Sequence, residues 1–222
     1  MKTMRIRNLL TLAVCCLAAV LLSGAALAAD ADIVDSGTCG AEGDGSNLKW
    51  TLDSEGTLTI SGQGAMKDWS ETRYLPWYSP RVRIKTVNIG SGVTNIGSTA
   101  FDGCTSLTSV TIPDGVTKIG NASFVGCRNL TSILIPDTVT IIGDYAFRNC
   151  GFETVTIPNR VTSIGRCAFD GSSLRSITIP ESITYIGEMA FVNCRSLEDV
   201  YITNMDAWCR ITFDGPFATP MG

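Results

Sequence analysis

The most regular feature of this chain is a pattern of apolar and polar positions that recurs every 22 or 23 residues. Each repeat unit opens with a large apolar residue. A short stretch follows in which apolar and polar residues alternate, as in Val110-Thr111-Ile112. Alternation with a period of two predicts a β-strand that buries one face. Pro113 removes a backbone donor and is expected to end the strand.

The rest of each unit predicts a second extended piece and a turn. Val116 and Ile119 are expected to point inward, and Gly120 permits a sharp corner that a Cβ atom would obstruct. Ala146-Phe147-x-x-Cys150 fits a single helical turn, because residues three apart lie on one helix face. We therefore expect three groups of inward positions in each unit, with the recurring phenylalanines Phe124, Phe147 and Phe169 stacked inside.

Self-similarity at a fixed period of this length predicts a solenoid, in which each coil stacks on the next. The glycine of the pattern recurs at five positions, as does the phenylalanine. The units begin at Ile84, Leu107, Leu130, Phe152, Leu174 and Leu197.

The motif Leu-x-x-Val/Ile-x-Ile-Pro, then Val-Thr-x-Ile-Gly, then Ala-Phe-x-x-Cys resembles the BspA-type, or treponemal-type, leucine-rich repeat of bacterial surface proteins. The resemblance covers residues 84–202. Departures are Ser172 at a Cys position, Phe152 at a Leu position and Gly90 at a Pro position. The resemblance implies a curved solenoid with a parallel sheet on its concave face, short helical turns opposite, and a role in adhesion or protein recognition.

The N-terminal residues predict a secretory signal peptide over 1–28. Three basic residues precede the apolar run Leu9–Leu22, and Ala26-Leu27-Ala28 supplies a small-residue cleavage site. The alternative is an uncleaved membrane anchor. No second apolar run is long enough to span a bilayer, so we expect no membrane span after removal of the leader.

Three further regions follow the leader. Residues 29–82 are expected to form an N-terminal cap, mobile up to about residue 47, with a β-hairpin at Leu48–Ile60. The cap covers the apolar cross-section of the first coil. Residues 83–202 form the solenoid, and 203–222 are either a C-terminal cap or an incomplete variant coil. We expect a monomer.

Charge and composition exclude several functions. The net charge of −4 becomes −7 if Lys2, Arg5 and Arg7 leave with the leader, so nucleic acid and anionic membranes are poor partners. The sequence contains no histidine, which excludes Ser-His-Asp and Cys-His catalysis and the usual zinc-ligand sets. Among the outward strand positions only Asp199 has an acidic or basic side chain that could serve in acid–base catalysis. We expect no enzyme, no cofactor and no metal site.

Seven of the nine cysteines follow the leader. Four of them recur in register with the phenylalanines: Cys104, Cys127, Cys150 and Cys194. Equivalent side chains of stacked coils point the same way rather than at each other. We therefore interpret these four as small apolar residues that fill the core rather than as disulfides. The state of Cys39, Cys167 and Cys209 stays open.

Two functions fit these observations. One is an exported binding module that recognises protein or glycan at a bacterial cell surface. The other is a passive spacer or targeting module of a longer protein whose activity lies in C-terminal sequence outside this chain. The strand positions are poor in Trp, Tyr and Arg, the usual hot-spot residues, and the aromatic group at Trp69–Tyr78 is a second candidate surface. The candidate partner-binding residues are Thr111, Leu134, Thr156, Thr178 and Tyr201.

Overall fold

The computed structural model describes residues 5–8, 31–215 and 217–220. In these residues strands dominate, with one short α-helix and two 3-10 turns at Thr72–Tyr74 and Arg81–Arg83. In chain order the elements are β1 (Arg5–Asn8), β2 (Ile33–Thr38), β3 (Leu48–Asp53), β4 (Thr57–Gly62), β5 (Gly64–Ala65), β6 (Thr86–Ile89), β7 (Val93–Ile96), β8 (Ser109–Thr111), β9 (Lys118–Ile119), β10 (Ile141–Ile142), β11 (Thr154–Thr156), β12 (Ser163–Ile164), β13 (Ser176–Ile179), β14 (Tyr185–Ile186), β15 (Asp199–Ile202), α1 (Met205–Trp208) and β16 (Thr212–Phe213).

The described residues form a solenoid with a parallel sheet, as predicted, and a second parallel sheet that was not predicted from the sequence. The first sheet has two parts, in the order β2-β3-β4-β6-β8 and the order β11-β13-β15-β1. The second sheet is continuous, with the order β5-β7-β9-β10-β12-β14-β16. All strand pairs are parallel except β2–β3 and β3–β4. Successive coils therefore contribute one strand to each sheet, with a single exception on the first sheet that is described below.

The core is a row of stacked aromatic rings. Phe101, Phe124, Phe147 and Phe169 are fully buried, and their successive ring centroids lie 5.1, 5.6 and 5.5 Å apart. Trp77 stacks on Phe101 at 5.9 Å and begins the row. The expectation that Phe124, Phe147 and Phe169 stack inside is confirmed. Each ring packs on its counterpart in the next coil, so the coils are held in register by their largest side chains.

The prediction of a helical turn at Ala146-Phe147-x-x-Cys150 was wrong. Tyr145 and Asn149 have φ values of 58° and 56°, which a right-handed helix excludes. Alternate residues instead donate to the next coil, as the Phe147 N–H does to the Ala168 carbonyl at 2.8 Å. The segment is a series of tight turns bonded from coil to coil. Phe147 and Cys150 are nevertheless both buried, as predicted.

The recurring glycines are required because neighbouring coils approach closely at these positions. A Cβ atom on Gly120 would lie 2.6 Å from the Ile96 carbonyl oxygen and 2.6 Å from the Ser98 nitrogen. No side chain fits in that space, since such a contact is far inside van der Waals distance. The same conflict with the preceding coil recurs at Gly97, Gly143, Gly165 and Gly187.

The N-terminal region contains more regular structure than the sequence suggested. The hairpin is present as β3 and β4, and β2 adds a third, antiparallel strand. Mobility up to about residue 47 was therefore the wrong expectation for Ile33–Thr38. Because β4 pairs in parallel with β6 and β5 with β7, the coil-like arrangement begins before residue 83.

The two chain ends differ in what the structure describes. The predicted signal peptide lies outside the described residues except for Arg5–Asn8, whose backbone pairs in parallel with β15; cleavage after Ala28 stays a prediction. At the other end β16 pairs with β14, and the Trp208 and Phe213 rings meet edge to face at 5.2 Å. Within the described residues, no helix is both long and apolar enough to cross a membrane.

Candidate binding face

The outward side chains of the two parts of the first sheet, with Ser132 and Leu134 of the coil between them, form a mostly polar row, here called the strand row. Their inward neighbours Val87, Val155 and Val200 are buried in the core, because successive side chains on a strand point to opposite faces. The strand row comprises Thr57, Thr59, Thr86, Asn88, Ser109, Thr111, Ser132, Leu134, Thr154, Thr156, Ser176, Thr178, Asp199 and Tyr201.

Three of the five predicted binding residues are direct neighbours on this face. Thr156 pairs with Thr178, which pairs with Tyr201 in the next strand. Paired residues on adjacent strands lie about 4.8 Å apart. With Thr154, Ser176 and Asp199 beside them, they form a grid of two columns and three rows. This C-terminal grid is the densest group of candidate residues.

Thr111 belongs to a separate group. It pairs with Asn88, which pairs with Thr59, while Ser109, Thr86 and Thr57 form the second column. This N-terminal grid repeats the arrangement of the C-terminal grid on the other part of the first sheet. The structure therefore does not bring Thr111 next to Thr156, although the sequence spacing suggests an unbroken row.

Leu134 lies between the two grids, where the first sheet is interrupted. Residues 129–135 form no strand, and within the described part of the chain the backbone N–H groups of Ser132 and Leu134 donate no hydrogen bond to the protein. The Leu134 side chain is 80% exposed, more than any other large hydrophobic residue described. The coil stays attached through the second sheet, where β10 pairs with both β9 and β12.

The hydroxyl groups of the strand row differ from those of the second sheet. The Oγ1 atoms of Thr117, Thr140 and Thr184 each donate to a carbonyl of the preceding coil at 3.1–3.3 Å. Among the described residues, no Ser or Thr hydroxyl of the strand row makes a hydrogen bond within the protein. Its hydroxyl donors and acceptors are therefore available to a partner.

The strand row offers little for bond-breaking chemistry. Its one carboxylate, Asp199, accepts a long 3.5 Å hydrogen bond from the Tyr201 hydroxyl. The described residues contain no cluster of three or more His, Cys, Asp or Glu side chains that could hold a metal ion. The candidate residues can donate and accept hydrogen bonds, and Leu134 adds one apolar contact.

Of the seven cysteines in the described residues, five are buried, Cys194 is partly buried and Cys209 is exposed. All seven in the described residues are free. Burial raises the pKa of both Cys39 and Cys104 to about 12. The Cys127 thiol donates to the Phe101 carbonyl at 3.3 Å. A protonated, buried thiol is a poor nucleophile and a poor metal ligand, and the interpretation as core-filling residues agrees with this environment.

The aromatic group at Trp69–Tyr78 divides into core and surface residues. Trp69 and Trp77 are buried, and the Trp77 indole N–H donates to the Ala100 carbonyl at 2.8 Å. Tyr74 and Tyr78 are 55% and 41% exposed. Tyr78 lines an open groove of about 620 Å³ together with Arg73 and Arg81. The sequence indicated the aromatic cluster but not which of its members reach the surface.

Comparison with known proteins agrees with the repeat geometry. Residues 78–141 and 117–207 match the BspA type leucine-rich repeat region, in six copies. No curated protein matches the sequence. Two solved structures are similar over most of the chain, a leucine-rich repeat protein from Eubacterium ventriosum and a leucine-rich repeat protein from T. pallidum.

The Eubacterium ventriosum protein is 35% identical with a TM-score of 0.70, over 77% of this chain and 45% of that one. The T. pallidum protein is 27% identical with a TM-score of 0.54, over 81% of this chain and 91% of that one. This chain thus spans less than half of the Eubacterium ventriosum structure. The repeat match, the stacked coils and the 35% identity together show that the chain belongs to the BspA-type leucine-rich repeat family.

Proposed function

We propose that this protein is an exported binding module that recognises protein or glycan material at a bacterial cell surface through the strand row, without catalytic turnover. The observation that carries the proposal is the set of hydroxyl groups that make no hydrogen bond within the described protein. A similar row of threonines directly precedes strands of the second sheet, but these hydroxyls donate to the preceding coil. The strand row is therefore the face better able to exchange hydrogen bonds with a partner.

The geometry favours an extended or repetitive partner. Each grid presents polar groups at about 4.8 Å intervals along the solenoid, and the two grids repeat the same arrangement. Leu134 and Tyr201 supply the only large apolar surfaces of the row. Binding at one grid is expected to be weak, because hot-spot residues are scarce. A partner that contacts both grids gains effective concentration at the second.

The cell-surface location rests on the N-terminal sequence. The basic residues, the apolar run and the Ala26-Leu27-Ala28 site support export and cleavage after Ala28. Family membership supports the same location, since the resemblance is to repeats of bacterial surface proteins. N-terminal sequencing of the protein recovered from the culture medium or cell envelope tests the cleavage site directly.

The binding proposal is tested by replacing Leu134 and Tyr201 together with Asp. Immobilised arrays of proteins and glycans are probed first with the wild-type protein, and its captured partner is then probed with the variant. We expect capture to be lost with the thermal transition nearly unchanged, because Leu134 is exposed and Tyr201 is only half-buried. Ile141→Asp with Tyr185→Asp is the matched control on the second sheet and should retain capture.

Survival of capture in the Leu134 and Tyr201 double variant would show that the strand row is not the binding face. Loss of capture in both double variants would point to a general effect of added negative charge. If the wild-type protein captures nothing on either array, the spacer or targeting function becomes the better explanation. The fact that this chain spans 45% of the Eubacterium ventriosum structure is compatible with that alternative.

A further inference from the structure

Three arginine side chains lie over tyrosine rings in the described part of the chain. The guanidinium carbon is 5.0 Å from the ring centroid for Arg73 and Tyr74, and 5.8 Å for Arg148 and Tyr145. For Arg81 and Tyr78 it is 4.0 Å. Contacts of this kind hold the flat guanidinium group in a defined orientation. The three pairs share their residue types but differ in their ionic partners.

Two of the three guanidinium groups are neutralised by a carboxylate of the same chain. Arg73 contacts Glu71 at 2.8 Å, and Arg148 contacts Asp170 at 2.9 Å. Arg81 has no carboxylate within ion-pair distance among the described residues. The tightest of the three stacked pairs is therefore the one whose charge is not balanced by a direct partner.

The surroundings of Arg81 hold it in place. Its Nη1 donates to the Tyr78 carbonyl at 2.6 Å, and Tyr78 directly follows the buried Trp77 in the aromatic core. The second terminal nitrogen, Nη2, makes no hydrogen bond within the described residues. Arg81 thus keeps a fixed orientation and retains donors for a further acceptor.

The acidic groups of the same groove are already engaged. The groove is lined by Glu71, Thr72, Arg81 and Asp102 among others. Glu71 is paired with Arg73, and Asp102 accepts a hydrogen bond from the Thr72 hydroxyl. Neither carboxylate reaches Arg81 within ion-pair distance. Arg73 and Arg148 each contact a carboxylate of the chain, whereas Arg81 contacts none in the described residues.

We propose that Arg81 and Tyr78 form the anchor of a second interaction surface, which binds a carboxylate carried by an acidic segment of a partner protein. Tyrosine and arginine are enriched among the hot-spot residues of protein interfaces. Tyr74 and Val82 beside them are 55% and 48% exposed. A protein carboxylate fits better than an acidic sugar, because the Tyr78 face that would stack on a sugar is covered by Arg81. This surface is separate from the strand row, and the proposal does not depend on it.

The test uses three probes with the intact protein: an oligo-glutamate peptide, an oligo-glutamine peptide of equal length and oligogalacturonate. The ¹⁵N NMR signal of the Arg81 Nε–H group is the readout, since this atom is buried and has no partner in the described residues. We expect the glutamate peptide to shift the signal and the glutamine peptide to leave it unchanged. The affinity should fall as salt is raised, because exposed charges are screened.

Two substitutions sharpen the test. Arg81→Lys keeps the charge but loses the planar donor group, and should weaken binding of the glutamate peptide by about tenfold or more. Arg73→Lys is the matched control in the same groove and should bind normally, because that guanidinium already contacts Glu71. Equal weakening in both variants, equal binding of the glutamine peptide, or tighter binding of oligogalacturonate than of the glutamate peptide would each overturn the proposal. The probe comparison with wild-type protein stands even if Arg81→Lys folds poorly.

Discussion

The thiol of Cys150 donates a hydrogen bond to the carbonyl oxygen of Phe124, one coil earlier, across 3.1 Å. The same contact joins Cys127 to Phe101 and Cys194 to Phe169. The recurring cysteine therefore does more than fill space. It supplies a weak donor to the carbonyl of the residue whose ring stacks in the core. Ser172 keeps a hydroxyl in the corresponding place, 3.2 Å from the Cys194 sulfur.

The ring stack and the strand row should differ sharply in their contribution to stability. Phe147→Ala removes a fully buried ring that stacks at 5.6 and 5.5 Å on both sides, and should lower the free energy of unfolding by about 3–5 kcal/mol. Thr156→Ala, at an exposed position, should cost less than about 1 kcal/mol. Chemical denaturation of both variants measures the difference. Equal losses of unfolding free energy would contradict the assignment of Phe147 to the core and Thr156 to the surface.

The recurring cysteines should be free and slow to react in the native state. Alkylation under denaturing, non-reducing conditions followed by mass spectrometry should find Cys104, Cys127, Cys150 and Cys194 all modified. In the native state the buried thiols of Cys104, Cys127 and Cys150 should react far more slowly than the exposed Cys209, because burial raises their pKa and reduces the thiolate fraction. A disulfide between any two of the four would refute the prediction.

Stability should decline at alkaline pH because of the buried thiols. The pKa of Cys104 is about 12 in the folded protein, against 9.0 for an ordinary thiol, and the cause is burial. The unfolded chain therefore loses this proton at a lower pH than the folded chain does. The contribution of the protonated Cys104 thiol to the free energy of unfolding is complete below pH 9.0. It is lost progressively as the pH rises toward about 12. Urea denaturation across this range should show a shallower decline in Cys104→Ala than in the wild type.

The interruption in the first sheet should be visible in amide hydrogen exchange. The N–H groups of Ser132 and Leu134 have no protein acceptor in the described residues and should exchange quickly. Ile142 of the same coil lies in β10, which is paired on both sides, and should be protected. Equal protection of Leu134 and Ile142 would mean that the sheet is continuous in solution.

Much of the architecture was predictable because each coil repeats the same local chemistry. The alternation at Val110-Thr111-Ile112 correctly separated core from surface, since a strand has only two faces and water selects which one is polar. The period correctly predicted that equivalent residues stack, as Phe124 and Phe147 do. These properties depend on neighbours within one coil and on copies of themselves, and both are visible in the sequence.

Other features were decided only when the coils came into contact. Tyr145 adopts a left-handed backbone conformation, in which its N–H donates a hydrogen bond to the adjacent coil. The spacing of Phe147 and Cys150 in the sequence fitted a helical turn equally well. The strand row is divided at Leu134 because residues 129–135 form no strand, so this coil contributes a strand to the second sheet but none to the first. Arg81 lacks a carboxylate because of the placement of Glu71 and Asp102 around it. Sequence periodicity determined which residues lie inside, while contacts between coils determined the turns, the break and the unbalanced charge.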